Sequence, residues 1–326
     1  RPAGFNICSM NISNIIRELV EMFPDENKHS IDKVIAHLHV AEKHYERGKN
    51  TGDEHFFTDV LCRCNHAFEG ILREAYHAFN ETAERHENIS LYEIEQYLKS
   101  KNLFSERVRK LLDNYRKDWR NPSTHDHKLF FSEGEALLAL MNVQAIVAVV
   151  LEQMLARFGY TMGQQIKPSA SEIQKDSSLR YRVLKLLEEF SRSNILRKIY
   201  EKSGKGYSRK RPPKILLLGI LEGFLSSHAP ELDIDVEPAI SQGLKADMLI
   251  SDGNQKVIVE MKTSRFDEIS KHHGLVHIKH ILTKSEVKEG ILFFLPETGT
   301  PLEREPAKID PPLEVTILHP EPGTKK

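Results

Sequence analysis

The spacing of apolar residues changes once along this chain, and that change restricts the fold more than any single motif does. From residue 31 to about residue 201, apolar residues recur at intervals of three and four, the period of a helix with one buried face. From residue 232 onward the runs are short: LDIDVE, ADMLIS, KVIVEMK, ILFFL and LEVTIL. They alternate or stay continuously apolar, as strands do. A purely helical half followed by a half that carries the strands predicts an α+β chain of two domains. At 326 residues the chain is long enough for two cores, and no repeat of 20 to 50 residues runs through it.

The helical half reads as a bundle with short connections. IDKVIAHLHVAEKHYERG places Ile31, Val34, Ile35, Leu38, Ala41 and Tyr45 on one face, with Gly48 and Gly52 closing the helix. A long second helix starts at Phe56, a shorter one covers Leu91–Leu98, and another covers Leu103–Trp119. Ser132 with Glu135 is a capping box that opens a buried helix at residue 136. The segment 1–29 reads as an N-terminal arm and 30–160 as the helical domain.

Residues 161–210 read as a connecting helix, SLRYRVLKLLEEFSRSNILRKIY, followed by a basic linker. KSGKGYSRKRPPK, residues 202 to 214, carries six positive charges, no negative ones, two Gly and two Pro, and cannot pack as a core element. Residues 211–326 then read as helix, three strands, helix, strand, strand: a mixed sheet flanked by helices.

Lys and Arg total 46 against 47 for Asp and Glu, so any nucleic-acid surface has to be a local cluster of cations. Cys62-Arg-Cys64 lacks the second ligand pair that a zinc site needs, and with Cys8 it reads as reduced thiols in a cytoplasmic protein. Residues 1–20 carry no long apolar block of the signal-peptide kind, and Arg1 in first place reads as a trimmed or tagged start. The stretch ALLALMNVQAIVAVVL, residues 136–151, contains Asn142 and Gln144 and is shorter than a membrane span, which predicts a buried core helix and no membrane contact.

Two clusters carry chemistry. In KADMLISDGNQKVIVEMK, Ser251-Asp252-Gly253-Asn254 is a strong turn signal. A four-residue loop, Asp252–Gln255, pairs residue 251 with 256 and sets Asp247 opposite Glu260. Alternation puts Lys262 on the same face as Glu260. Two carboxylates and a lysine converging at the end of an apolar hairpin are costly unless they hold a divalent cation for phosphodiester hydrolysis. Asp247 followed by Glu260-Met261-Lys262, with this element order, resembles the PD-(D/E)XK or restriction-endonuclease-like nucleases over residues 211 to 318. Ala246 stands where many members have Pro. The resemblance implies Mg²⁺ or Mn²⁺ on Asp247 and Glu260, and Lys262 as a catalytic group. It also implies a supporting acid from the first core helix, Glu222, and a polar residue from the helix after the motif, His277 or, second, Lys279.

The other cluster is RNPSTHDH, residues 120–127, which reads as a helix end blocked by Pro122 and then a polar loop. Arg120-Asn121 followed by His125 resembles the R-polar-x3-H motif of HEPN domains, over residues 30 to 160, and Glu69 matches an acid in an early helix of such domains. The resemblance implies a metal-independent ribonuclease site. Arg120 would grip phosphate, His125 would act as acid or base, and Asn121 would orient the pair. Two protomers would build the site together, hence a homodimer through the helical domain.

Together these resemblances imply a nuclease of the bacterial anti-phage or toxin type, acting on DNA, RNA or both, with a regulatory or antitoxin protein as a further partner. Two alternatives stay open. In one, the helical domain only dimerises or senses; in the other, neither domain cuts and the protein is a nucleic-acid-binding scaffold.

Overall fold

The computed structural model describes residues 12–80, 89–101, 103–104, 106–125, 130–167, 177–203, 211–296 and 300–321. The chain is mixed α+β, helical in its N-terminal part and built on a mixed sheet in its C-terminal part. It falls into two compact units, residues 1–157 and 158–326.

The first unit is built on two long helices, α2 (Asp25–Thr51) and α3 (His55–Phe79), joined by a turn with Gly52 in the left-handed region at φ 71°. Gly48 does not end α2. It lies buried inside it, where a Cβ would come within 2.8 Å of the Phe57 ring, so the glycine sets the approach of the two helices. The described part of the N-terminal arm is also not an arm. It forms α1 (Ile12–Glu21), and Ile16, Leu19, Val20, Met22 and Phe23 are buried. Ser13 Oγ and Gln144 Nε2 both donate to Glu42 Oε1, at 2.6 and 2.7 Å.

After α4 (Leu91–Ser100), opened by a Ser90–Glu93 capping box, comes α5 (Glu106–Tyr115). The chain then widens into one π-helical turn over Arg116–Arg120 and continues as the short helix α6 (Asn121–His125). The expected loop is therefore helical up to His125; residues 126–129 lie outside the described set. The wide turn, in which Asn121 N–H bonds Arg116 O, starts a fresh helical segment with Pro122 near its beginning, where a missing N–H costs least. α7 (Glu133–Gln164) opens with Ser132 N–H and Oγ donating to Glu135. It is long and apolar enough to cross a bilayer, with 50% of its most apolar window buried inside the protein. The reading of a buried helix shorter than a membrane span is corrected in two respects: the helix runs to 32 residues, and Leu138 and Met141 are more than half exposed.

The second unit contains the end of α7, from Phe158. The connecting helix is two helices, α8 (Leu179–Ser191) and α9 (Asn194–Ser203), broken where Ser193 Oγ accepts from Ile195 N–H. α8 is part of the core. Leu179, Val183, Leu186, Leu187 and Phe190 are buried, and Arg182 pairs with Glu231. Most of the basic linker, residues 204–210, lies outside the described set.

Then follow α10 (Lys214–His228), β1 (Asp233–Val236), a small hairpin of β2 (Ala239–Ser241) and β3 (Leu244–Lys245), β4 (Met248–Ser251), β5 (Lys256–Lys262), α11 (Glu268–Lys284), β6 (Glu289–Phe294), β7 (Leu302–Pro306) and β8 (Glu314–Pro320). The six-stranded sheet runs β1-β4-β5-β6-β8-β7. β1, β4 and β5 are antiparallel neighbours, β6 is parallel to β5 and β8, and β7 closes the edge antiparallel. β5 is buried on both faces, which demands cover on both. Ile258, Leu292 and Phe294 meet Ile278, Ile281 and Leu282 of α11. Alternation turns Val257, Val259 and Met261 to the other side, where α8 packs on β5 and β6 and α10 on β1. The β2–β3 hairpin and β7 were not anticipated. They are short and half-exposed, without a run of apolar residues.

Candidate functional site

The β4–β5 hairpin pairs Ser251 with Lys256 through Met248 with Val259. One step beyond, Asp247 stands opposite Glu260, and each carboxylate reaches across to the other strand's backbone. Asp247 N–H donates to Glu260 Oε1 at 2.9 Å, and Met261 N–H donates to Asp247 Oδ2 at 2.8 Å. The turn holds this register: Asp252 Oδ1 accepts from the backbone N–H groups of Asn254 and Gln255, and Gly253 takes φ 89°. Those bonds hold the Asp252 carboxyl below its ordinary pKa.

Glu260 is 0% exposed, and a carboxylate so deep needs partners. Lys262 Nζ donates to its Oε2 at 3.3 Å, and His277 Nδ1 lies 3.0 Å from the same oxygen. His277 reaches it because residue 260 faces α11. Lys262, at the end of β5, is partly open to solvent, and His277 is 44% exposed. Asp247, Glu260, Lys262 and His277 thus stand together. Lys279 does not join them: its Nζ bonds Asp310 Oδ2 at 2.7 Å. Glu222 is half-buried on α10, about 12 Å along the helix axis from Lys214.

The contribution of α10 to the site is a residue that the sequence pattern does not single out. Lys214, the first residue of α10, sets its Nζ 2.6 Å from both oxygens of Asp247. Two carboxylates therefore face two ammoniums. One signal for Lys214 was present in the sequence: a lysine directly after Pro-Pro at a helix start stands where the helix dipole disfavours a cation.

In the helical unit, Arg120 Nε and Nη2 donate to Glu69 Oε1 of α3 at 3.2 and 3.0 Å, and Nη1 donates to Asn121 Oδ1 at 3.2 Å. Arg120, Asn121 and Glu69 stand together on a half-buried surface. A buried chain of hydrogen bonds anchors this region. Tyr115 OH donates to Asn65 Oδ1 at 2.9 Å, Asn65 Nδ2 donates to Ser123 Oγ at 2.8 Å, and Ser123 Oγ donates to Trp119 O at 2.7 Å. Burial pushes the Tyr115 hydroxyl well above its ordinary pKa. His125 ends α6, about 1.4 turns beyond Arg120; its side chain lies outside the described set.

The chain matches no protein-family model, no curated protein and no solved structure.

What the arrangement can do then follows from the donors present. Among the described residues no three His, Cys, Asp or Glu side chains converge as a ligand set. Asp247 and Glu260 offer two carboxylates, the hard oxygen donors that Mg²⁺ takes while completing its shell with water. Lys214 already sets a cation against Asp247. This donor set fits a hard divalent cation.

Proposed function

We propose that the second unit is a divalent-cation-dependent nuclease, with Asp247 and Glu260 as ligands of Mg²⁺ or Mn²⁺ and Lys262 as its catalytic cation. The observation that carries this reading is the cross-strand pair of Asp247 and Glu260, with Lys262 Nζ on the same carboxylate. With the β2–β3 hairpin set aside, the order α10–β1–β4–β5–α11–β6 is the helix–strand–strand–strand–helix–strand order that the resemblance to PD-(D/E)XK nucleases implies. Asp247 and Glu260 would hold a divalent cation, which would offset charge on the scissile phosphate and acidify a bound water. The protein's own groups do the rest. Lys262 Nζ, kept in place by Glu260, holds the attacking water and offsets charge developing on the phosphate. His277 fixes the Glu260 carboxylate in one rotamer.

The test is cleavage of labelled DNA and RNA with and without EDTA. Cleavage lost in EDTA and in Asp247→Ala supports the reading. Equal Mn²⁺ binding by the wild type and the Asp247→Ala, Glu260→Ala double variant refutes it.

A second reading concerns the helical unit, favoured by the grip of Glu69 and Asn121 on Arg120. In it the unit is a HEPN-type, metal-independent ribonuclease whose site two protomers complete. It predicts RNA cut in EDTA with 2′,3′-cyclic phosphate ends, abolished in His125→Ala, and a homodimer. A dimer that leaves RNA intact in EDTA makes this unit a dimerisation or sensing module. An effector of the anti-phage or toxin type, held in check by a protein partner, is the role that two such activities fit.

A further inference from the structure

Lys214 is held at Asp247 by nothing in its own helix. It follows Pro213 at the start of α10, whose first turn has no acidic residue, and a cation there opposes the helix dipole. Its side chain is 40% exposed, so water is an open alternative. Its Nζ nevertheless sits 2.6 Å from both oxygens of Asp247, one of the two carboxylates that would hold a metal ion. Charge makes the arrangement exclusive. The ammoniums of Lys214 and Lys262 already match the charge of Asp247 and Glu260, with the His277 ring beside Glu260 as well. A divalent cation added to this balanced set leaves two excess positive charges a few ångströms apart, unless one ammonium departs. Lys262 is the less free to go, since it is only 23% exposed at the end of a core strand. Lys214, on a flexible four-carbon stem at a helix tip, can swing away with no change of backbone.

We propose that Lys214 is a built-in, displaceable counter-ion: it occupies Asp247 until a divalent cation takes its place. Resting on the nuclease reading above, the inference makes Lys214 a positioning residue that keeps the two carboxylates folded together while no metal is bound. It also raises the cation concentration needed to load the site.

The experiment is calorimetric titration of the full chain with Mn²⁺, together with thermal melts in EDTA and in Mn²⁺, for the wild type, Lys214→Ala, Lys214→Arg and Asp247→Ala. Lys214→Ala should bind Mn²⁺ roughly fivefold more tightly, the size of one partly exposed ion pair. It should melt lower than wild type in EDTA and gain more from Mn²⁺. Lys214→Arg, which keeps the charge, should stay near wild type. Binding in Lys214→Ala equal to or weaker than wild type, with Asp247→Ala abolishing it, overturns the counter-ion role and leaves the nuclease reading standing. No Mn²⁺ binding in any variant overturns both. Binding in Lys214→Ala but not in wild type supports the role in its strongest form.

Discussion

Lys262 and Lys214 stand on the two carboxylates of one hairpin, yet the same substitution should show in different steps, metal binding for Lys214 and cleavage for Lys262. An ammonium is no metal ligand, so Lys262→Ala should bind Mn²⁺ at least as tightly as the wild type while cleavage falls roughly 10²-fold or more, the scale of one positioned acid–base or electrostatic group. Single-turnover rates beside calorimetry make the check; an unchanged rate removes Lys262 from the chemistry. How legible these residues were follows from sequence distance. Asp247, Glu260 and Lys262 lie on one hairpin, where the turn chemistry and a period of two fix who faces whom. His277 was reachable because α11 directly follows β5 and must cover it. Lys214 lies 33 residues from Asp247, and only the packing of α10 brings it in.

At the scale of elements, the Tyr115–Asn65–Ser123 chain ties α5 and α6 to α3. Tyr115 is 1% exposed, so Asn65→Ala should leave its hydroxyl without an acceptor and cost about 1–3 kcal/mol. Tyr115→Phe should recover part of that loss. A double-mutant cycle by urea denaturation should give a coupling of about 1 kcal/mol, and a coupling near zero would mean that the chain does not hold the helices. The hairpin turn has a pH signature. The Asp252 carboxylate is favoured in the fold by backbone N–H donors, which puts its folded pKa below the unfolded one. Its contribution is complete above an ordinary carboxylate pKa of about 3.9 and is lost as pH falls through the lower folded value. NMR titration of Asp252 Cγ should find that lower midpoint, and Asp252→Ala should flatten the acid limb of stability. Local chemistry misled the reading at RNPSTH, where Pro122 signals a stop that a single π turn removes. β7 escaped notice for a different reason: LEREP is an edge strand, and edges carry charge and proline.

The whole molecule is two units with separate cores, and each can be followed by its own reporter. Cys64 is buried in the first, and burial pushes its thiol far above the ordinary range, so it should react with maleimide only when that unit opens. Saturating Mn²⁺ should stabilise the sheet unit by about 2.7 kcal/mol at a hundredfold excess over Kd, which moves its urea midpoint upward. The midpoint for Cys64 labelling, assigned by mass spectrometry, should stay put. A parallel shift of both would mean that the chain unfolds as one. The switch from helix to strand was readable because it rests on periodicity over many residues. The role of α8 was not, since its apolar face fits any neighbour equally well on paper. Within the second unit, a Cβ on Gly223 would lie 1.9 Å from the carbonyl oxygen of Tyr160, and one on Gly163 would lie 2.1 Å from that of Ile220. The end of α7 and α10 therefore meet backbone to backbone, and that seam seats the helix whose first residue is Lys214. In a saturation screen for lost activity, these two inert glycines will rank beside the carboxylates. An engineer choosing positions by nearness to Asp247 and Glu260 would pass over both.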